Sequence, residues 1–262
     1  MTGWNDLGRE LDLWAEAGRV ATLWWRDDDA IGDTPALRRL FDTAKAPLAL
    51  AVIPETAGRD LAAAVLDRPQ VSVLQHGYRH RNNAVPGAKK SEFPDDRPID
   101  AIADDLHRGQ MRMSEAFRGR FLPVLTPPWN RIGAKAVEIL ERLGFLGLST
   151  YLPRPAPRRH GLAIVNTHVD VIDWQGGKRF LGEGAALGLL IGHLQARRTG
   201  SADAEEPTGL LTHHLVHDAD TWLFLENLQD FLRDRSGHGL KTGGGVKFIE
   251  AAEAFGIRPG PR

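Results

Sequence analysis

The 262-residue chain predicts an α/β fold: a parallel sheet of seven strands curved into a closed or nearly closed (β/α)7-type barrel, with chemistry at the carboxyl ends of the strands. Three observations predict it. Short apolar runs alternate with longer amphipathic stretches, the rhythm of βαβ units. The runs are continuous rather than alternately apolar and polar, as strands covered on both faces require. The dinucleotide-binding pattern G-x-G-x-x-G is absent after the first run, which weighs against an open doubly wound sheet.

The elements follow in order. An amphipathic helix, Asp6–Ala17, precedes the first strand, Val20–Trp25, which ends where the charged run Arg26-Asp-Asp-Asp29 begins. Helix Pro35–Ala44 leads into strand Leu48–Ile53, and helix Arg59–Leu66 into strand Val71–Leu74. Helix Ile99–Phe117 precedes strand Leu122–Thr126, and helix Ala134–Leu143 precedes strand Leu146–Ser149. Strand Ala163–Thr167, helix Leu181–Arg198 and strand Gly209–Thr212 complete the sheet, and helices over Ala219–Arg233 and Val246–Phe255 close the chain. Three connections stand out. Arg81–Pro98 is rich in Asn, Pro, Lys and Asp and directly follows a histidine pair, the position of a lid or substrate wall. Pro153–His160 carries three prolines and three arginines and reads as a solvated loop, with contact to an anionic substrate group as the other reading. Thr199–Thr208 is acidic and reads as solvated. With no internal repeat and no interdomain linker, residues 1–262 read as one domain.

Composition narrows the function. Apolar residues make up 42% and charged residues 26%, which is ordinary for a globular domain. A net charge of −1 gives no footprint for nucleic acid or an anionic membrane. The absence of cysteine excludes disulfides and thiolate metal sites, so any metal must be held by His, carboxylate or water. The N-terminus lacks a basic segment followed by an apolar one, and no apolar stretch approaches the ~20 residues that span a bilayer. Leu187–Leu194 reads as a buried helix. A cytoplasmic protein is expected.

In parallel α/β folds, sites gather where the strands end. Arg26 to Asp29 follow the first strand, and His76 and His80 the third. Thr126-Pro-Pro-Trp129-Asn130 follows the fourth strand, Asp170 and Asp173-Trp174 the sixth, and His213-His214 the seventh. Two imidazoles at H-x3-H spacing beside a carboxylate predict a divalent-metal site suited to zinc, cobalt, manganese, iron or nickel. Plainer readings stand beside this one. The histidine pair could be a surface turn, and Asp27–Asp29 could cap the next helix. Trp129 and Trp174 are core aromatics or substrate walls. Strand alternation points only one of His213 and His214 into the mouth. Gly243-Gly-Gly245 is a connector or a phosphate loop, and His107, His160, His168, His193 and His238 read as structural or exposed.

Five segments, spanning roughly Val20 to His217, resemble the motifs of the polysaccharide deacetylase family (carbohydrate esterase family 4, the NodB homology domain). Arg26-Asp-Asp-Asp29 is similar to T-F-D-D, His76-Gly-Tyr-Arg-His80 to H-x-x-x-H, and Leu125-Thr-Pro-Pro-Trp129 to R-x-P-P-Y. Asp170-Val-Ile-Asp173-Trp174 is similar to an Asp followed by D-W, and Leu211-Thr-His213 to L-x-H. The resemblance implies a distorted, NodB-like barrel. It implies Asp28 as general base, His213 as general acid, and Asp29, His76 and His80 as ligands of a divalent metal, chosen as Zn2+. It further implies Trp129 as backbone donor to an oxyanion and Asp170 as partner of His213, with Trp129 and Trp174 walling the substrate. The third-motif arginine is missing, with Leu125 or Thr126 in its place, and Arg26 is the candidate replacement that orients Asp28.

The expected activity is hydrolysis of a C–N amide bond, foremost removal of N-acetyl from a small saccharide or saccharide precursor rather than a cell-wall polymer. A bound metal supplies carbonyl polarisation and a water acidified from ~15.7 towards ~7, and a carboxylate and a histidine supply proton transfers. Hydrolysis of another small amide or an O-acetyl ester, or metal-dependent carbohydrate binding without turnover, are the alternatives.

Overall fold

The computed structural model describes residues 2–236 and 245–258. Strand β1 (Val20–Ala30) organises the sheet. On one side of it follow β2 (Leu48–Val52), β3 (Val71–His76), β4 (Phe121–Thr126) and β5 (Gly147–Leu148), each pair parallel. A short hairpin of β6 (Arg158–Arg159) and β7 (Leu162–Ile164) comes next, with β7 parallel to β5. Then come β8 (Val169–Asp170) and a separate small hairpin of β9 (Ile172–Asp173) and β10 (Arg179–Phe180). The other side of β1 is shared. Its last half pairs with β11 (Thr208–Thr212) and its first half with β12 (Gly245–Phe248), both parallel.

The segment Leu162–Asp170 links the two ends of the sheet. Its start pairs with β5, and its end, β8, pairs with β11. Between them the chain bends while Thr167 N–H donates to Thr150 and His168 N–H donates to Gly209, at 3.1 and 2.8 Å. Counting this segment once gives seven parallel positions, but the ladder is interrupted there, so the barrel is distorted.

The helices are α1 (Trp4–Glu16), α2 (Pro35–Thr43), α3 (Arg59–Leu66), α4 (Ile99–Phe117), α5 (Ala134–Leu140), α6 (Glu183–Thr199), α7 (Ala219–Ser236) and α8 (Ala251–Phe255). Local chemistry sets their ends. The Thr34 hydroxyl accepts from Leu37 N–H at 3.0 Å and Pro35 occupies the first turn of α2, where no donor is needed. Helix α6 stops at Gly200, whose φ of +81° suits glycine.

Strand alternation divides the core. Leu23 and Trp25 of β1 and Leu48, Leu50 and Val52 of β2 pack outward against the helices. Trp24, Ala49 and Ala51 point inward, where α8 plugs the end of the barrel with Phe255 edge-on to Trp24, centroids 5.7 Å apart. The small Ala49 and Ala51 leave room for the indole. A Cβ on Gly209 would lie 2.6 Å from Trp24 Nε1, so that position of β11 has to be glycine.

Several expectations change. The first strand does not end at Trp25; it runs through the charged segment to Ala30 because those charges find buried partners. Val246–Phe255 is not one helix, since Gly245–Phe248 completes the edge of β1 and only Ala251–Phe255 coils. Thr199–Thr208 is not wholly solvated, because Glu206 and Thr208 are fully buried. His168 and His193 are buried, whereas His107 and His160 are exposed. Leu187, Leu190 and Leu194 are buried within α6, and among the described residues no helix is long and apolar enough to cross a membrane. Gly243, Gly244 and His238 lie outside the described residues.

Candidate active site and metal centre

The site begins with a break in β1. Asp27, Asp28 and Asp29 would alternate sides in a regular strand, but Asp29 has φ +69° and the pairing register with β2 slips between Asp27 and Ala30. The bulge re-aims the third aspartate. Asp29 Oδ1 lies 3.0 Å from His76 Nε2 and 3.1 Å from His80 Nε2. One ligand atom from each of these residues falls within 4.8 Å of the others.

His76 and His80 are held by backbone geometry. Gly77, at φ +57°, turns the chain out of β3, and a Cβ there would sit 1.9 Å from Glu92 Oε2 and 2.7 Å from Pro128 Cδ. Glu92 is buried and accepts from Tyr78 N–H at 3.2 Å and Arg79 N–H at 2.7 Å, so one carboxylate clamps the turn between the two histidines. Burial pushes the Glu92 carboxyl above its usual range. The Arg81–Pro98 connection is therefore not only a wall. Its Ser91–Phe93 portion is buried and braces the site from behind.

The tautomer of His76 fits a metal ligand. Nδ1 lies 2.9 Å from the Thr126 carbonyl, which can only accept, so Nδ1 carries the proton and Nε2 presents its lone pair to Asp29. A lone pair and a carboxylate 3.0 Å apart repel unless a proton or a cation lies between them. Metal bonds of ~2.0–2.1 Å leave neighbouring ligand atoms ~3 Å apart, the spacing seen here. In the metal-free protein, burial opposes charge on His76, but Asp28 and Asp29 outweigh it and raise its pKa. Burial likewise opposes ionisation of Asp29, yet its contacts with His76 and His80 hold its carboxyl well below the usual range.

A second cluster fails the same test. His168, His193 and Glu206 are buried together, with the two imidazoles stacked 3.4 Å apart. His168 Nδ1, however, accepts the Gly209 N–H at 2.9 Å, which leaves the proton on Nε2, 3.4 Å from Glu206. That nitrogen has no lone pair to give, so the cluster is read as a structural contact at the segment that links the two ends of the sheet.

Around the first cluster stand the other expected residues. Asp28 is buried and bound in bidentate fashion by Arg26, both bonds 2.8 Å. The same guanidinium donates to Ser149 Oγ at 2.6 Å and to Asn130 Oδ1 at 2.7 Å. Leu125 of the third segment is buried in an apolar cluster, and Thr126 serves His76. Trp129, at φ +57°, lies half-buried with its ring 4.5 Å from that of His80. Trp174 is 41% exposed and meets His213 edge-on at 4.6 Å, so neither tryptophan is a core residue. Asp170 does not bond His213 Nδ1, which has no hydrogen-bond partner. Its carboxylate instead accepts from the Trp174 indole at 2.8 Å and the Ile172 amide at 3.0 Å. Burial raises the Asp170 pKa, and the nearby His213 opposes that shift. Asp173 accepts from Gln175 and Gly176 N–H and shapes its own turn.

The sequence hid one buried network. Asp27 faces away from the mouth and takes hydrogen bonds from His214 Nδ1 at 2.5 Å, Thr212 Oγ1 at 2.6 Å and His214 N–H at 3.0 Å. Burial opposes its ionisation, but the His214 charge and bond outweigh that and keep its pKa low. Asp27 thus fixes His214 behind the strand end and leaves His213 on the site side. The alternation that faces Leu23 and Trp25 outward, carried two residues further, is the signal that could have placed Asp27 on that side.

No family profile and no curated relative matches the chain by sequence. Solved structures do. A Mycobacterium smegmatis protein provisionally described as a polysaccharide deacetylase is 16% identical over 91% of this chain and 90% of its own, with a TM-score of 0.62. The Bc1960 peptidoglycan N-acetylglucosamine deacetylase is 13% identical, covering 92% and 91% of the two chains, with a TM-score of 0.56. A family 4 acetyl xylan esterase from Clostridium thermocellum, solved with a cobalt ion, is 12% identical over 92% and 93%, with a TM-score of 0.51. At these identities the likeness is one of fold: the distorted, NodB-like (β/α)7 barrel.

Proposed function

We propose that this protein is a metal-dependent hydrolase that removes the acyl group, foremost acetyl, from the nitrogen of an amino sugar. One observation carries the reading. Asp29, His76 and His80 converge with a metal-ready tautomer, while the next aspartate, Asp28, is clamped by Arg26 beside them. A divalent ion, Zn2+ in this proposal, would supply the polarised carbonyl and the acidified water when bound. Asp28 takes the proton of the attacking water, and Arg26 aims its carboxylate. His213, standing beside Trp174 at the mouth, returns a proton to the departing nitrogen. Trp129 and Trp174 offer ring faces to the sugar, and Asp170 positions the Trp174 indole. The third-motif arginine, whose absence would favour a protein that only binds, has a substitute in Arg26.

The test measures acetate release from N-acetylglucosamine oligomers by protein loaded with Zn2+ and by protein stripped with a chelator. Activity should disappear on stripping and return with stoichiometric metal. Metal uptake without acetate release from any amide or O-acetyl ester would leave only the binding function.

A further inference from the structure

We infer that the substrate carries an anionic group beside its acyl-amino group, and that a cleft behind Arg26 receives it. This rests on the hydrolase reading above. The cleft has a volume of about 440 Å³. Its inner wall includes Asn130 and Thr150, the residues whose side-chain and main-chain oxygens accept from Arg26 at 2.7 and 3.4 Å. Arg26 itself is fully buried, so the cleft meets the group that orients Asp28 through these two residues. Its floor is apolar at Ile164, and its rim carries Arg131, Arg158 and Arg159.

Those arginines are the unusual feature. Among the described residues none of the three pairs with a carboxylate. Arg131 donates to the Lys90 carbonyl at 3.2 Å and Arg158 to the Gly161 carbonyl at 2.9 Å, which leaves most of their donors open. Arg154, on the same loop, shows the ordinary alternative, bonded to Asp203 at 2.8 Å. Three exposed guanidinium groups around one concavity repel each other, and an anion relieves that repulsion. The planar, forked donors of arginine match a phosphate or carboxylate. The apolar floor suits the carbon face of a sugar. The chemistry selected is an N-acylated amino sugar bearing phosphate or a carboxylate.

The experiment compares kcat/KM for N-acetylglucosamine, its 1-phosphate and 6-phosphate, and an N-acetylated disaccharide containing a uronate. The parent should favour an anionic substrate at least tenfold over the neutral sugar, and whichever arm leads identifies the anion. Arg131→Gln with Arg159→Gln should bring the anionic-to-neutral ratio towards one, mainly through KM. A ratio of one in the parent, or a ratio unchanged in the double variant, overturns the inference and leaves the hydrolase reading standing. If no substrate is cleaved, that reading fails, and calorimetric binding of the 1-phosphate against the neutral sugar judges the cleft alone. Tenfold tighter binding that the double variant loses supports it, and equal affinity refutes it.

Discussion

At the scale of single residues, neighbouring carboxylates have been given different tasks by the strand. The bulge between Asp27 and Ala30 turns Asp29 to His76 and His80, while Asp28 meets Arg26. Asp28→Asn should therefore retain metal by elemental analysis while turnover falls ~10²–10⁴-fold, the range for loss of a general base. Asp29→Asn should lose metal. The opposite pattern would exchange the two roles. Arg26→Gln should cost about 3–5 kcal/mol in denaturant unfolding, because it strands a buried carboxylate, and adding Asp28→Asn should recover part of that loss. The histidine pair was legible from its H-x3-H spacing, and the aspartates from their run where an apolar strand meets its first charges; the parallel sheet brings the two together. The partners that let Arg26 and Asp27 be buried were not. Asn130, Ser149, Thr212 and His214 lie more than a hundred residues downstream, so local pattern ends the strand at its first charge while the fold carries it to Ala30.

At the scale of elements, the site depends on how strands end. Gly77 combines a left-handed φ with contacts that leave no room for a Cβ. An L-residue pays ~1–2 kcal/mol for that conformation before any clash is counted. Gly77→Ala should lower both the urea midpoint and metal affinity, since Glu92 cannot keep its two bonds to the turn. Replacement with unchanged metal affinity would show that the turn does not depend on Glu92. The same logic explains what pattern reading missed. The apolar run Ala163–Thr167 looks like one strand, but Asn166 and Thr167 mark the bend at which β7 leaves β5 and β8 joins β11. The helical reading of Val246–Phe255 failed because the open half of β1 needs a partner, a demand invisible to local periodicity.

At the scale of the molecule, buried histidines held neutral tie stability to pH. Burial pushes His193 down to about 2 and His217 down to about 4, and lowers His168 as well. Each is depressed below the 6.5 of a free imidazole, so below that pH the unfolded chain binds protons that the folded one refuses. Stability must then fall with pH, beginning near 6.5 and continuing for His217 to about 4. In the metal-free protein His76 acts in the opposite sense, because its raised pKa favours the fold as it protonates. The depressed Asp27 and Asp29 contribute only below the 3.8 of a free aspartate, where the unfolded carboxylates would be protonated first. The raised carboxyls of Glu92 and Asp170 act in the same sense as His76, but the large depressions of His193 and His217 set the direction. At pH 5 a fully excluded proton costs about 1–2 kcal/mol per histidine, a sizeable share of the ~5–15 kcal/mol by which domains are stable. The urea midpoint of the metal-free protein should therefore drop clearly between pH 7 and pH 5. His217→Phe keeps a ring against Trp222, which His217 meets edge-on at 4.4 Å, and removes one of the three titrations. Its midpoint should vary less steeply with pH than the parent's, and identical slopes would show that His217 titrates alike in the folded and unfolded chain.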